Sequence, residues 1–438
     1  WPQDLPHIDI VRKNADAFFA FHAHAHRLVH LPTFMGALNF PPSDPSFPST
    51  ALLHAICGIG GIFRLFGHTY PREADVLRAA METERQMVLA KACAEDDLVK
   101  GKRLLQALQA LLIIAYWWWC HARWMEMYSI SAKILRNCLP LGLHMSEAFH
   151  PLTHSEIISL IPPPTDPLDA EMRRNIFWLA YALERQSGCG NGWPLSLDDI
   201  DISQLLPLSS GGFSFGIPWP PAEQRQHPFT PDVLLTHPSG HTEGFELWVK
   251  GTILLSRVKN YNMRFRQRRA RGDPEVAMPA SNAPSGWSAD RCGLIGRDAD
   301  VRKTEGFVEL DRIACAFEES FPIRLPQPLT QANLDQYLYT AALMPHVALM
   351  ILHDPHAHIE TMACFSSQRL LSSSRAIFRH LLTVLNTDIN TVVLDQFAFF
   401  AWFMAGKTLT RFWQVAIRLN ACDQVEIFRA EVQQIMHV

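Results

Sequence analysis

The stretch EMRRNIFWLAYALERQSGCGNGWPLSLDDIDI, from Glu171 to Ile202, joins a helical segment to a glycine turn and a cluster of aspartates. Its apolar residues between Ile176 and Leu183 recur at three- and four-residue spacing, which predicts a helix. Aromatic residues widen the apolar stripe, so we expect the helix to be buried on more than one side. Three glycines, at 188, 190 and 192, then end the helix and let the backbone turn tightly.

The residues before this helix predict where it begins. Asp166 can cap the helix, Pro167 suits its first turn, and Asp169 is favourable near the positive end of the helix dipole. Arg173 lies four residues after Asp169, so the two side chains can form a weak pair of about 0.3 kcal/mol if exposed. The sequence therefore predicts a helix over residues 169–185 that begins just after Asp166.

Helical periodicity also dominates the rest of the chain, and we find no convincing run of alternating strands. The periodic segments lie at residues 14–29, 50–66, 72–94, 98–119, 123–139, 245–268, 334–353, 368–385, 394–420 and 424–436. This pattern predicts an all-α fold, a large irregular helical bundle with long Pro/Gly-rich loops.

Two segments rich in proline and glycine interrupt the helical pattern. We predict an N-terminal helical half at residues 1–206, a Pro/Gly-rich loop at 207–244 and a C-terminal helical half at 245–438. The second segment, residues 272–300, is predicted to be a disordered insertion in that C-terminal half.

The composition excludes several classes of protein. Hydrophobic residues make up 48% of the 438 residues, which is ample for a core. Charged residues make up only 19%, with a net charge of −4, and this composition is unlike that of a disordered tail. The pI near 6.6 is lower than the pI of domains that bind DNA through its phosphates. The 9 cysteines form no CxxC pair, and the apolar runs are too short to span a bilayer. Because the chain begins at Trp1, we expect it to be a piece of a longer intracellular protein.

Two short motifs fail their context test. Gly212 to Gly216 matches the G-x-S-x-G elbow of serine hydrolases, but no strand precedes it and prolines follow it. Gly406-Lys407-Thr408 resembles a phosphate-binding loop, but Ala401 stands where that loop needs glycine. Neither motif predicts catalysis.

Histidine clusters offer a weak metal prediction. His22, His26 and His30 lie four residues apart on one helical face, without a nearby carboxylate or cysteine. A metalloenzyme using His353, Asp354, His356 and His358 remains an alternative class, while a helix end followed by a proline turn is the simpler interpretation. The arginines between Arg264 and Arg271 favour a solvated helix tip over a nuclear-import patch. We expect no metal in this chain.

The triplet Trp117-Trp118-Trp119 points in three directions around a helix, since each residue turns about 100°. At most two of the rings can face one core, so the third is expected to line an interface, groove or pocket. We predict an effector pocket formed by the three tryptophans with His22 and His26 of the opening helix.

The stretch DAEMRRNIFWLAYALERQSGCGNGWPLSLDDIDISQLLP resembles the signature of the fungal-specific transcription factor domain, also called the middle homology region or xylanolytic-activator-type regulatory domain. The matching positions are Arg173, Arg174, Phe177, Trp178, Pro194, Asp199, Asp201 and Pro207. Similar blocks occur in FFAFHAHAHRLVHLPTF, in ALLHAICGIGGIF and in the helix pair that ends at Leu141–His144. This chain has Trp193 where the family expects arginine, so a role for that arginine does not carry over.

The resemblance implies a nuclear regulator rather than an enzyme. Members carry a six-cysteine zinc cluster that binds DNA, followed by a helical region that modulates transcription by RNA polymerase II through effector sensing or autoinhibition. Zinc and DNA contacts are thus expected only through that cluster, which this sequence lacks. Expected partners are a small-molecule effector, transcriptional co-regulators and a second copy of the chain, with no membrane. The alternative is a helical interaction scaffold without a small ligand.

The resemblance also suggests a role for the charged residues. Catalysis by Asp198, Asp199 and Asp201 is disfavoured, since nothing in the sequence places a cleft beside them. We predict instead a structural clasp, in which Arg173 or Arg174 pairs with Asp199 or Asp201 and pins the segment after the glycine turn to the helix.

Overall fold

The computed structural model describes residues 1–67, 71–146, 149, 159–208, 225–238, 242–277, 300–360 and 364–436. Within these residues every regular element is a helix and no β-strand occurs, so the predicted all-α class is confirmed. The Gly212–Gly216 motif and most of the two predicted loops, 207–244 and 272–300, lie outside the described residues. None of the described helices is both long enough and apolar enough to cross a membrane.

The chain divides into two compact units. The first contains Trp1–Ser187 and Leu195–Phe229, and the second contains Gly188–Pro194 and Thr230–Val438. The glycine turn thus belongs to the second unit although both of its flanks belong to the first. The prediction had placed residues 188–194 in the N-terminal half, which was expected to end at residue 206.

The first unit is built around the helices Thr50–Phe63 and Leu104–Cys120, most of whose residues are buried. Its helices are α1 (Ile8–Phe21), α2 (Ala25–Leu28), α3 (Leu31–Ala37), α4 (Thr50–Phe63), α5 (Glu73–Lys100), α6 (Leu104–Cys120), α7 (Trp124–Cys138) and α8 (Pro167–Gly188), with 3₁₀ turns at Arg64–Gly67 and Asp199–Asp201. α4 packs against α1, α5 and α6, and α6 packs also against α5 and α7. The apolar side chains of α6 and the run from Ile176 to Leu183 in α8 are buried, as the wide apolar stripe of α8 predicts.

One glycine sets the closeness of α1 and α4. A Cβ atom at Gly60 would lie 2.0 Å from the backbone oxygen of Asn14, so only glycine permits this approach. Asn14 reinforces the contact, since its side-chain amide donates to the Cys57 carbonyl at 3.3 Å.

The second unit surrounds a central helix. Its helices are α9 (Gly244–Ala270), α10 (Pro274–Ala277), α11 (Glu305–Phe317), α12 (Gln336–His353), α13 (Phe365–Leu385), α14 (Gln396–Arg418) and α15 (Cys422–Met436), with 3₁₀ turns at Val301–Lys303, Asp354–His356 and Thr391–Val393. α12 packs against α9, α11, α13 and α14. Asp395 caps α14 and also accepts a 2.5 Å hydrogen bond from the buried indole of Trp248.

The predicted helix bounds differ from the structure at several points. The single helix predicted over 14–29 is two helices, because the backbone of His22 is extended and ends α1 at Phe21. α5 runs on to Lys100, where Gly101 adopts a left-handed conformation (φ 66°), so α6 begins at Leu104 rather than 98. α11 was not predicted.

Candidate functional site

The signature helix α8 begins as its sequence predicts. The Asp166 carboxylate accepts from the backbone N–H of Asp169 at 2.8 Å, and Pro167 occupies the first helical position. Arg173 makes the predicted pair with Asp169, through hydrogen bonds of 3.0 and 2.7 Å, and also donates to the carbonyl of Pro162. Because both side chains of this pair are partly buried, it fixes the start of α8 more firmly than an exposed pair would.

After the glycine turn, residues 196–208 run back along α8, and we call them the return segment. Its backbone and side chains meet the polar residues of α8 in antiparallel order. The contacts join Glu184 to Ser196, Arg185 to Leu197 and Asp199, Trp178 to Leu205, Arg174 to Gln204, and Glu171 to Leu208. The polar side chains of an otherwise apolar helix therefore serve to hold this segment.

Arg185 anchors the end of the return segment nearest the glycine turn. Its wholly buried guanidinium donates to the carbonyl of Leu197 at 2.7 Å and to the carboxylate of Asp199 at 2.9 Å, and pairs with Glu184. The ring of Tyr181 lies 4.1 Å below the guanidinium carbon, and its hydroxyl donates to Asp199. A buried cation with this many partners stabilises one conformation of the segment.

Glu171 anchors the other end. It is buried, pairs with Arg174 and Arg225, and accepts from the backbone N–H of Leu208 at 2.7 Å. Burial by itself raises the pKa of this carboxyl, but Arg174, Arg225, the Leu208 N–H and Arg27 together hold the pKa below its usual value. Glu171 is therefore an ionised buried carboxylate that pairs with Arg174 and Arg225 at the end of the return segment.

The predicted clasp names the wrong partners. Arg173 pairs with Asp169, Arg174 pairs with Glu171, and Asp199 pairs with Arg185. Helical geometry explains the difference, since Arg174 lies 14 residues, or about 20 Å, before the end of α8. A chain that turns back at the glycines meets the last turns of the helix first, so Asp199 reaches Arg185.

Three of the four apolar signature residues have clear positions in the first unit. Phe177 and Trp178 are wholly buried in α8, and the Trp178 indole donates to the carbonyl of Leu205 at 2.8 Å. Pro207 lies in the return segment, whereas Pro194 closes the glycine turn of the second unit.

The glycine turn has its own contacts within the second unit. Lys259 donates to the carbonyl of Gly188, and its ammonium lies 3.3 Å from the amide oxygen of Asn191. The backbone N–H of Trp193 donates to the same amide oxygen at 3.0 Å, and its ring is half-exposed. A Cβ at Gly190 would clash with the ring of Phe400 at 2.8 Å. At Gly190 the turn thus needs glycine for its packing against Phe400.

Two residues of the predicted effector pocket, His22 and His26, pack against other aromatic rings. His22 packs against Phe18 and Tyr116, with ring centroids 5.0 and 5.8 Å apart, and burial lowers its pKa well below the ordinary value. His26 packs against the ring of Phe19 instead. All three tryptophans are buried, as the indole of Trp117 donates to Glu84 while that of Trp118 lies under the guanidinium of Arg123.

Trp118 does line a cavity of about 800 Å³ between α5 and α7, which we call the α5–α7 groove. Its floor is apolar and buried, with Met87 and Ile130 beside Trp118. At one end Arg123 pairs with Glu84 and Glu126, and at the other Glu95 pairs with Lys91 and Lys133. This volume lies within the range of about 300 to 1,000 Å³ that is typical of small-molecule sites.

The second histidine cluster does not assemble. His353 and His356 are buried, but Asp354 is exposed and pairs with Arg411, and His358 is exposed. The helix end with a following turn is therefore the interpretation that fits, because Asp354–His356 is a 3₁₀ turn directly after α12.

His353 takes part in a Ser-His-Asp arrangement instead. Its Nδ1 lies 3.1 Å from the hydroxyl of Ser366, and its Nε2 lies 2.9 Å from Asp311, which Arg369 also contacts. The order resembles that of a serine hydrolase, yet the Ser366 side chain is wholly buried in the unit. A substrate cannot reach a hydroxyl in that position, so the arrangement links α11, α12 and α13.

Three of the residues that hold the return segment were missed by sequence reasoning. Glu171, Glu184 and Arg185 stand in a helix whose other faces are apolar, and a charged residue on a buried helix requires a partner. That signal was available, but the sequence does not show which distant backbone groups provide the partners.

Comparison with known proteins shows what part of the chain is similar to. Residues 15–217 match the family model of the fungal specific transcription factor domain. The chain is similar to an uncharacterised transcriptional regulatory protein of Schizosaccharomyces pombe, 30% identical over 31% of this chain and 15% of that protein. It is similar also to the ascochitine biosynthesis cluster transcriptional regulator of Didymella fabae, 26% identical over 26% of this chain and 19% of the regulator.

A Zn(2)-C6 fungal-type transcription factor of Fusarium oxysporum is 22% identical over 49% of this chain and 22% of its own length. The matched part is thus a small share of each relative. No solved structure matches the chain. Residues 15–217, which include the signature helix α8, are thus similar to the fungal specific transcription factor domain.

Proposed function

We propose that this chain is the regulatory region of a nuclear zinc-cluster transcription factor, and that it senses a small-molecule effector through the α5–α7 groove. In the full-length protein, DNA would be bound by a six-cysteine cluster outside this sequence. Effector binding would then change transcription by RNA polymerase II through co-regulators, in a monomer or a homodimer. The chain itself performs no catalysis in this proposal.

The groove carries the proposal because it lies in the part of the chain that matches the family. Its lining includes three acidic residues, Glu84, Glu95 and Glu126, and three basic residues, Lys91, Arg123 and Lys133. These charges are paired with one another across the ends of the groove, so no net charge faces a ligand. An uncharged and largely apolar molecule fits such a site best, since it leaves the ion pairs in place.

A scaffold function is the second candidate, and it rests on the mouth of the same groove. Val88 and Met125 line the groove and are 60% and 67% exposed. Exposed apolar side chains around a groove are typical of surfaces that bind a partner helix. Binding of a small apolar probe distinguishes the two functions.

The test compares Met125→Glu with Met81→Glu. Both methionines are 67% exposed, but Met125 lines the groove and Met81, on α5, is not among its lining residues. We expect the chain to enhance the fluorescence of Nile red, a neutral apolar dye, and we expect Met125→Glu to weaken this binding at least about tenfold while Met81→Glu leaves it unchanged.

A reporter assay then connects the groove to transcription. The chain is placed between a heterologous DNA-binding domain and an activation domain, and reporter output is measured for the wild type and both variants. The proposal predicts that Met125→Glu alone alters the effect of the chain on output. Dye binding that is equal in both variants would contradict the effector site, and altered output without dye binding would favour the scaffold.

A further inference from the structure

Three side chains from three elements of the second unit converge on one point. Glu318 follows the end of α11, His346 lies on α12 and His380 lies on α13. The Glu318 carboxylate lies 3.2 Å from the Nε2 atom of His346 and 3.3 Å from the Nε2 atom of His380, through a different oxygen for each. One ligand atom from each residue lies within 4.8 Å of the other two.

These distances suit a divalent transition-metal ion. Zinc takes nitrogen and carboxylate ligands at about 2.0 to 2.2 Å, so the ligand atoms of a tetrahedral site stand about 3.4 Å apart. Both oxygen–nitrogen distances around Glu318 are already close to that value. Two imidazoles and one carboxylate are also the donor set that three-ligand zinc sites use, with the fourth position left for water or a ligand.

The surroundings leave that fourth position accessible. All three residues line a cavity of about 530 Å³, together with apolar side chains such as Phe321, Leu325 and Leu349. The two histidines and Glu318 are half-buried, so they are held by their helices while their ligand atoms remain reachable. An ion bound here would face the cavity.

Nearby contacts fix the carboxylate without occupying it. Arg324 donates to the backbone carbonyls of Glu318 and Glu319 at 2.8 and 2.7 Å, which holds the segment after α11 in place.

We propose that Glu318, His346 and His380 bind one zinc ion whose open position faces the 530 Å³ cavity, where water or a small ligand with a donor atom completes the coordination. This site departs from the expectation that the chain holds no metal. It lies outside residues 15–217, which match the family model, and it uses no cysteine. Sequence reasoning missed it because its members are separated by 28 and 34 residues and one follows a helix that was not predicted.

The experiment loads the metal-stripped chain with Co²⁺, whose visible absorption reports the ligands, and then displaces it with Zn²⁺. We expect one equivalent of Co²⁺ with visible d–d bands and without the charge-transfer band of cysteine ligation. Binding weakens as the pH falls, because protons compete for the imidazoles. The absence of binding, or a thiolate charge-transfer band, would overturn the proposal even if no variant could be prepared.

Two variants and a matched control locate the site. His346→Gln and Glu318→Gln should each weaken binding at least about 100-fold, since loss of outer-shell partners alone costs 10- to 100-fold. His237→Gln is the control, because His237 is also half-buried in the second unit but contacts Ser320 and Lys250 instead. Equal binding by the control and both site variants, with unchanged circular dichroism, would mean adventitious metal only.

Discussion

The guanidinium of Arg185 donates to the carboxylate of Asp199 at 2.9 Å, and this contact joins the end of the signature helix to the segment that follows the glycine turn. The same guanidinium donates to the carbonyl of Leu197, so one buried side chain fixes both the backbone and the acidic group of the return segment. Asp199, one of the three aspartates that resemble catalytic carboxylates, is thus part of the packing of α8.

The opposite end of the return segment depends on Glu171. Glu171→Gln removes the charge that neutralises Arg174 and Arg225, so we expect the free energy of unfolding to fall by about 3 kcal/mol at pH 7. Urea unfolding measures this loss. Glu82→Gln is the control, because Glu82 is half-exposed on α5 and pairs with Arg85 at the surface, so a change within about 1 kcal/mol is expected.

The pH dependence of the same variant has a definite sign. The folded-state pKa of Glu171 is lowered, so its contribution is fully present above the ordinary glutamate pKa of 4.5 and is lost as the pH falls through the folded-state value. The wild type should therefore lose stability more steeply below pH 4.5 than Glu171→Gln does. Parallel pH profiles would show that Glu171 is not held ionised.

Gly60 and Gly61 provide a matched pair of substitutions within α4. Gly60→Ala places a Cβ 2.0 Å from the Asn14 carbonyl oxygen and must push α1 away from α4, so we expect a loss of about 3 kcal/mol or more. Gly61→Ala meets no atom within 4 Å and should stabilise the helix by about 0.5 to 1 kcal/mol. Thermal unfolding of both variants measures these changes. If Gly60→Ala left the stability unchanged, the close packing of α1 on α4 would be contradicted.

From the burial of His356 we predict that the second unit loses stability as the pH falls. Burial, with Arg302 and His353 nearby, lowers its pKa from 6.5 to about 4, so the unfolded state binds the proton more readily between these values. The unfolding free energy should fall by about 3 kcal/mol as the pH drops from 6.5 to 4. His356→Gln should flatten this part of the profile, whereas His358→Gln, at an exposed position, should leave it unchanged.

The periodic helices could be predicted because a regular apolar stripe determines both the helix and its buried face. The start of α8 was correct because its cap, its first-turn proline and the Arg173–Asp169 pair are all local. The break at His22 was missed, since no proline or glycine marks it and the tertiary contacts of His22 with Phe18 and Tyr116 hold it. α11 was missed although its stripe is amphipathic.

The candidate sites were harder to predict than the helices, because the residues that contact one another there are distant in sequence. The predicted clasp paired Arg173 or Arg174 with Asp199 or Asp201, while the direction of the chain after α8 brings Asp199 to Arg185. The tryptophan triplet indicated a groove, and Trp118 lines one, but its other walls come from α5 and α7 rather than from the histidines of α1 and α2. Glu318, His346 and His380 carry no shared motif at all.

The most direct measurement is a double-mutant cycle on the clasp, using Arg185→Gln, Asp199→Asn and the double variant in urea unfolding. We expect a coupling of about 1.5 to 3 kcal/mol, since one partner is wholly buried and the hydrogen bond is charge-assisted. The control cycle on Arg174 and Asp201, one of the four pairs that the sequence suggested, should be additive within about 0.5 kcal/mol. Additive effects at Arg185 and Asp199, or a coupling of the first size at Arg174 and Asp201, would contradict this account.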